Sequence, residues 1–109
     1  SGRPGGILVQ RAVEFINREY AAGIGVPEVV GYLKASRPLV DLRFRQFRGQ
    51  SVLSTINEVR LAKTYELLIS APHLSIAEVC RRSGWRSERY PKRIFLRRFG
   101  LTMREARSS

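Results

Sequence analysis

The stretch IAEVCRRSGWRSERYPKRIFLRRFGLT, residues 76–102, decides the fold. Ser75 can cap a short helix at its start, and Ser83-Gly84-Trp85 indicates a tight turn at its end. Apolar side chains at helical spacing predict a second helix from about residue 87 to residue 98, which Gly100 ends. A short helix, a tight turn and a capped second helix together form a helix-turn-helix unit.

The same pattern occurs earlier in the chain, at an offset of 51 residues. Pro27 opens a short helix there, residues 34–36 form the turn, and a second helix follows with Pro38 in its first turn. The equivalent positions are Ser36 and Ser87, Phe44 and Phe95, Gly49 and Gly100, and Ser51 and Thr102. The internal repeat therefore predicts two helix-turn-helix units.

The rest of the chain also has helical periodicity, and no segment alternates as a strand does. We predict a first helix from Ile7 to near Gly23 and a long helix that Ser51 caps and Pro72 stops, about 20 residues or ~30 Å in length. The expected fold is all-α with about seven helices. The expected organisation is a terminal linker (residues 1–6), a first helix-turn-helix subdomain (7–50), a linker helix (51–71) and a second helix-turn-helix subdomain (72–109).

The charge of the chain indicates a polyanionic partner. Its 109 residues carry 20 Lys and Arg against nine Asp and Glu, for a net charge of +11. Nucleic acid is the first candidate partner and an acidic membrane surface is the second. No apolar stretch approaches the roughly 20 residues that span a bilayer. With a single cysteine, Cys80, the chain can form no internal disulfide, which fits a reducing cytoplasm.

The second helix of a helix-turn-helix enters the DNA major groove with its N-terminal end first, while the preceding helix braces it across the backbone. The two recognition helices predicted here follow Ser36 and Ser87. The ~30 Å linker helix approaches the roughly 34 Å between successive major-groove segments on one face of DNA. We therefore expect one monomer to bind two adjacent major-groove segments.

These residues resemble the DNA-binding domain of the AraC/XylS family of bacterial transcription regulators, from Ile7 to Arg107. The resemblance rests on SRPLVDLRFRQFRG (36–49), VRLAKTYELL (59–68) and the 76–102 stretch. Within the family, SRPLVDLRFR is most similar to the xylose-operon regulators. The resemblance implies promoter binding, contact with RNA polymerase and a nucleoid location in the bacterial cytoplasm. It also implies a small-molecule effector, with sugars as the candidate class, that an N-terminal domain outside this chain senses.

The start of each recognition helix supplies the expected base contacts. Asp41 can accept a hydrogen bond from a cytosine amino group, or it only pairs with a nearby arginine such as Arg37 or Arg45. Pro38 or Leu42 can touch a thymine methyl group, and an arginine of the second helix can bind guanine. By resemblance, the base-contact candidates are Pro38, Asp41, Leu42, Glu88, Arg89, Lys92 and Arg93.

Phosphate contacts are expected from hydroxyls and arginines beside these positions, because such contacts hold a recognition helix in register. The alternative is a solvated basic face. The candidates are Ser36, Arg37, Arg43, Arg45, Arg48, Arg86, Ser87 and Arg97.

Pro91 departs from the family pattern, which has Phe or Leu at this position. With Ser87 as N-cap, Pro91 would be the fourth helical residue and would lack the N–H that bonds to the Ser87 carbonyl. Either the helix begins near Pro91 or its first turn is distorted. In both cases Glu88 and Arg89 are affected, and the second unit would bind phosphate more than it reads sequence.

Other readings of the chain are weaker. Trp85 and Phe95 could stack on unpaired bases, but in a helix-turn-helix they are expected in the core. Cys80 is expected to be a buried apolar filler. A basic structural or RNA-binding module without sequence readout is the alternative function. No paired carboxylates, nucleophile–His arrangement, metal-ligand spacing or phosphate-binding glycine loop is present, so we expect no catalytic residue, metal or cofactor.

Overall fold

The structure, a computed structural model, describes residues 4–109. Those residues contain α-helices and one short 3-10 helix (Tyr20–Ala22), with no strand, which confirms the all-α prediction. The helices are α1 (Pro4–Glu19), α2 (Val26–Leu33), α3 (Arg37–Arg48), α4 (Val52–Ser70), α5 (Ile76–Arg82), α6 (Arg89–Phe99) and α7 (Met103–Ser108). None of these helices is both long enough and apolar enough to cross a membrane.

Four helices begin where the sequence places a hydroxyl side chain. In each case the hydroxyl oxygen accepts a hydrogen bond from the backbone N–H three residues later, which satisfies one of the free donors of the first turn. The pairs are Ser36 with Leu39 at 3.4 Å, Ser51 with Ser54 at 3.0 Å, Ser75 with Glu78 at 3.1 Å, and Thr102 with Glu105 at 3.0 Å. The predicted starts of α3, α4, α5 and α7 are therefore confirmed.

Helix α1 begins at Pro4, three residues before the predicted start at Ile7. Residues 4–6 of the predicted terminal linker are thus helical, and residues 1–3 lie outside the described residues. Glycine disfavours a helix, but a Cβ on Gly5 would lie 2.7 Å from the Phe47 ring and 2.8 Å from Cδ of Arg43. Close packing of the glycines against α3 outweighs their poor helix propensity.

Helix α6 begins at Arg89 instead of Ser87, and Glu88 is its N-cap residue. Pro91 is then the third helical residue, where no intrahelical partner for an N–H exists, so the missing donor costs nothing. The first regular bond runs from the Lys92 N–H to the Glu88 carbonyl at 3.0 Å. Pro91 is fully buried, as is Val40 at the equivalent position of α3. The proline therefore shortens the helix and fills the core.

The chain forms two compact units, which divide between Val59 and Arg60. Phe44 is fully buried in the core of the first unit, and Phe95 is fully buried in the core of the second. Helix α4 contributes to both cores, through Val52 and Ile56 in the first unit and through Leu61 and Leu68 in the second. The predicted linker helix is thus an integral part of both units.

In the second unit, Arg107 ties α7 to the end of α4. Its guanidinium donates hydrogen bonds to the carbonyl oxygens of Leu68 (3.1 Å), Ala71 (3.3 Å) and Leu74 (2.7 Å). The C-terminal carbonyls of a helix lack intrahelical partners, and a cation near them is favourable. One side chain therefore satisfies the end of α4 and the loop that follows it.

Candidate nucleic-acid interface

The turn of the first helix-turn-helix depends on Lys34. Its φ of 53° lies in the left-handed region, and its N–H donates to the carbonyls of Val30 and Gly31 at 3.1 and 3.2 Å. This geometry ends α2 abruptly, and Ser36 then caps α3. At the other end of α2, Glu28 accepts a hydrogen bond from the Gly25 N–H at 2.7 Å. Hydrogen bonds therefore fix both ends of α2 and the start of α3.

The turn of the second unit uses different residues for the same purpose. The buried Ser83 hydroxyl donates to the Val79 carbonyl at 2.8 Å, and Gly84 has a φ of 96°, which suits glycine. Trp85 is 8% exposed, and its indole ring lies in the core of the second unit. Phe95 is fully buried. Both aromatic residues are therefore core residues, as expected, and neither presents a face to a base.

At the start of α3 the base-contact candidates differ in exposure. Leu42 is 50% exposed, Pro38 is exposed, and Asp41 is partly exposed. Nε of Arg37 lies 3.3 Å from Oδ2 of Asp41, an ion pair between residues four apart on the helix. Of the two roles considered for Asp41, the structure contains the pair with Arg37. Both side chains remain about half exposed, so the pair can exchange for contacts with a ligand.

The phosphate-contact candidates of the first unit fall into two groups. The Ser36, Arg37, Arg45 and Arg48 side chains are exposed. Arg43 is half-buried, lies close to Gly5 of α1, and donates from Nη1 to Oε1 of Gln46 at 3.0 Å. Arg43 therefore has packing contacts in addition to its charge.

Helix α6 presents mainly cations in its first turns. Arg89, Lys92 and Arg93 are exposed, and Glu88 is partly exposed. Nζ of Lys92 lies 3.0 Å from Oε1 of Glu88, and the Arg93 guanidinium lies over the Tyr90 ring at 5.5 Å. The ring holds the guanidinium in place without consuming its hydrogen-bond donors. Because the helix begins at Arg89, Lys92 and Arg93 lie in its first two turns.

Two depressions bring predicted residues of the second unit together. Arg86, Ser87 and Glu88 line a cleft of about 200 Å³ with Arg81. Lys92 and Arg93 line a second depression of about 540 Å³, to which α7 contributes Arg104. Arg97 is exposed and lines neither of them. Arg81 and Arg104 were not predicted as site residues, because only the packing of α5 and α7 beside α6 places them there.

Glu78 reduces the positive charge at the end of α5. Its carboxylate pairs with Arg81 and with Arg82, whose Nε lies 3.0 Å away. Hydrogen bonds from Arg82 and Arg81 hold the pKa of Glu78 below its ordinary value. Glu28, at the matching position of the first unit, caps its own helix. Glu78 therefore links two arginines of the first helix of the second unit.

A cation–aromatic cluster on α1 and α2 was missed by the sequence reasoning. The Phe15 and Tyr32 rings stack at 4.3 Å, and the Arg11 and Arg18 guanidinium groups lie over the Tyr32 ring at 5.5 and 5.6 Å. A hydrogen bond with Tyr32 is the main cause of the raised pKa of Arg18. The spacing of Arg11, Phe15 and Arg18 along one helical face was the available signal. No pattern in the sequence indicated that Tyr32, on another helix, packs against these residues.

Within residues 4–109, no three His, Cys, Asp or Glu side chains lie close enough together to hold a metal ion. Each unit instead presents one helix, α3 or α6, whose first two turns and N-cap carry exposed cations and one carboxylate. Such a surface binds a polyanion and offers distinct donors and acceptors to it.

The chain is similar to known transcription regulators in sequence and in fold. Residues 30–109 match the family model described as a helix-turn-helix domain. The xylose operon regulatory protein of Escherichia coli (strain K12) is 30% identical over 99 residues, which cover 91% of this chain and 25% of that protein. The chain therefore spans about a quarter of the length of the curated relatives it matches.

Two solved structures have the same fold. The structure of the xylose-binding transcription activator XylR is 30% identical with a TM-score of 0.79, and the match covers 93% of this chain and 26% of that one. The DNA-binding domain of AdpA, a global transcriptional factor solved in complex with a target DNA, is 25% identical with a TM-score of 0.78; the match covers 98% of this chain and 92% of that one. These relatives are transcription regulators by name, in agreement with the expectation that the chain is not an enzyme.

Proposed function

The chain belongs to the AraC-type helix-turn-helix family, and on that premise we propose that it binds double-stranded promoter DNA sequence-specifically, as the DNA-binding part of a transcription regulator. One observation carries the proposal. Each of the two compact units contains its own recognition helix, α3 or α6, whose first turns are exposed and carry hydrogen-bonding side chains. One monomer then binds two adjacent major-groove segments, one with each unit.

Sequence is read at the start of each recognition helix. In the first unit, Pro38 and Leu42 offer apolar contact to thymine methyl groups, and Asp41 accepts from a base amino group. In the second unit, Lys92 and Arg93 donate to guanine O6 and N7, with Glu88 and Arg89 beside them. The position of Pro91 supports this role for α6, because the helix begins before it and keeps Lys92 and Arg93 near its N-terminus.

Affinity comes from contacts with phosphates. The arginines of α3, together with Arg86 and Arg97, supply the charge. The hydroxyls of Ser36 and Ser87 supply neutral hydrogen bonds. The proposed phosphate contacts are Ser36, Arg37, Arg43, Arg45, Arg48, Arg86, Ser87 and Arg97.

The remaining partners concern the whole regulator. We propose that it contacts RNA polymerase at its promoter, that it acts at the nucleoid in the cytoplasm, and that a sensor domain outside this chain binds a small-molecule effector. A sugar is the effector class that the xylose regulators suggest, which would connect the protein to sugar metabolism.

The test is a competition at about 0.15 M salt, which suppresses purely electrostatic binding. The chain is mixed with equal amounts of a randomised DNA duplex and a structured RNA of similar length. We expect it to retain DNA and to enrich particular sequences over successive rounds. Preferential retention of RNA, or DNA binding without enrichment, would instead support a basic structural or RNA-binding module.

A further inference from the structure

The two recognition helices carry the same ion pair with opposite polarity. In α3, Arg37 precedes Asp41, and the two side chains lie 3.3 Å apart. In α6, Glu88 precedes Lys92, and these side chains lie 3.0 Å apart. The offset of 51 residues that relates the two units maps Arg37 onto Glu88 and Asp41 onto Lys92. A cation of one unit thus occupies the position of an anion in the other.

The equivalence of these positions rests on the structure as well as on the sequence. Both helices end at a glycine in the left-handed conformation, Gly49 with a φ of 67° and Gly100 with a φ of 77°. Both bury a phenylalanine completely at the same distance from that glycine, Phe44 in one unit and Phe95 in the other. Counted back from that glycine, the two ion pairs occupy matching positions, with Arg37 as the first residue of α3 and Glu88 as the N-cap residue of α6.

All four side chains are accessible to a ligand. The exposed fractions of the side chains are 58% for Arg37 and 46% for Asp41. They are 52% for Lys92 and 42% for Glu88. Ion pairs with this exposure are weak and readily exchange partners. Neither pair is therefore a fixed structural contact that would withhold its members from a base.

The second member of each pair determines what the helix can recognise. The Asp41 carboxylate only accepts hydrogen bonds, and among the base edges of the major groove the amino group of cytosine suits it. The Lys92 ammonium only donates, and the O6 and N7 atoms of guanine suit it. The two positions are equivalent, but their chemistry is complementary.

The first member of each pair compensates for the charge of the second. A carboxylate that approaches DNA meets the repulsion of the phosphates, and Arg37 offsets this repulsion beside Asp41. At the start of α6 the carboxylate of Glu88 partly neutralises the charge of Lys92, whose ammonium is a flexible point charge. Each pair therefore places a charge of opposite sign beside the member that faces the bases, without fixing that member in one contact.

We propose, on the basis of the DNA-binding function proposed above, that these inverted pairs give the two units opposite base preferences at one equivalent position. The first unit selects cytosine through Asp41, and the second selects guanine through Lys92. The target site then contains two blocks that differ at this position, with cytosine in the first block and guanine in the second.

Exchange of polarity within one unit tests the proposal. The double variant Arg37→Glu with Asp41→Lys gives α3 the polarity of α6 and keeps an ion pair, now in the orientation that is more favourable in helices. After selection on a randomised duplex pool, we expect one position of the first block to change from cytosine to guanine, with a roughly tenfold change in the ratio of the two bases. The second block remains as in the wild type.

The reciprocal variant, Glu88→Arg with Lys92→Asp, should change guanine to cytosine in the second block only. Glu88 makes no side-chain capping bond, so its replacement removes no cap. A third variant, Asp41→Asn, disturbs the helix least and should change cytosine to adenine, since an asparagine amide pairs with the adenine edge. Circular dichroism melting curves establish that each variant folds.

The outcomes separate the two proposals. Two blocks in the wild type with the predicted base changes in folded variants support the inverted pairs. Two blocks in the wild type that stay unchanged in the folded variants, or that all weaken alike, would overturn the inference and leave the proposed function intact. No enrichment with the wild type would overturn the proposed function itself.

Discussion

The indole Nε1 of Trp85 donates a hydrogen bond to Oγ1 of Thr64 over 3.0 Å, and both side chains are buried in the second unit. The Thr64 hydroxyl in turn donates to the Arg60 carbonyl at 2.7 Å. The hydroxyl of α4 therefore links the turn before the recognition helix to the backbone of its own helix. This bond positions the Trp85 ring in the core of the second unit.

Replacement of Thr64 by valine should destabilise the second unit. The change keeps the volume but leaves the buried indole N–H without its acceptor, which costs about 1–3 kcal/mol. The variant is unfolded with urea and monitored by the fluorescence of Trp85, the one tryptophan of the chain. Thr64→Ser retains the hydroxyl and is the matched control. If valine and serine had equal effects on the free energy of unfolding, the hydrogen bond would not be the stabilising contact.

Replacement of Arg107 by lysine should also destabilise the second unit, although it preserves the charge. An ammonium group cannot reach three carbonyls arranged around a planar guanidinium, so some of the bonds to Leu68, Ala71 and Leu74 are lost. We expect a loss of about 2 kcal/mol in the free energy of unfolding, because hydrogen bonds to charged groups are the stronger ones. Arg104→Lys, at an exposed position of the same helix, should change it by less than about 0.5 kcal/mol. Equal effects of the two substitutions would contradict the capping role of Arg107.

The thiol of Cys80 should be inert in the folded protein. Burial, with a smaller contribution from Glu88 that Lys92 opposes, raises the pKa of Cys80 to about 11 from an ordinary value of 9.0. The thiolate fraction at pH 8 is then reduced about 100-fold, and reaction with an aromatic disulfide reagent should be slower by at least that factor than in urea. The folded thiol keeps its proton where the unfolded one loses it, so this group makes stability fall as the pH rises from 9.0 towards 11. Rapid reaction of the native protein at pH 8 would contradict this account.

Replacement of Arg45 by alanine should weaken binding to all duplexes alike. A phosphate contact carries no sequence information, and its loss should reduce the slope of log affinity against log salt by about one. Titrations of two unrelated duplexes at several salt concentrations measure both effects. Arg18→Ala is the control, because Arg18 lies on α1 over the Phe15 and Tyr32 rings and should leave the slope unchanged. A change in sequence preference with Arg45→Ala would show that Arg45 contacts bases.

Local signals predicted most of the fold. Ser36, Ser51, Ser75 and Thr102 cap the helices that the sequence indicated, since a hydroxyl acts on a backbone N–H only three residues away. The early start of α1 could not be predicted, because it depends on the packing of Gly5 against Phe47.

For the second recognition helix, the sequence did not determine the geometry of the first turn. Pro91 indicated that the first turn was altered, but two geometries were compatible with it. The observed one depends on the burial of Pro91 in the core position that Val40 occupies in α3. For Asp41, too, the sequence was compatible with two roles, because an exposed side chain has few contacts that fix its partner. The sequence left Arg37 and Arg45 open as partners of Asp41, and the structure contains the pair with Arg37.

The most direct test of the central claim, that each unit reads its own block of sequence, is selection on a randomised duplex pool at about 0.15 M salt with the wild type and two double variants. We predict two enriched blocks for the wild type. Lys92→Ala with Arg93→Ala should abolish one block, and Asp41→Ala with Leu42→Ala should abolish the other. A single block with the wild type, or the loss of both blocks with either folded variant, would contradict the claim.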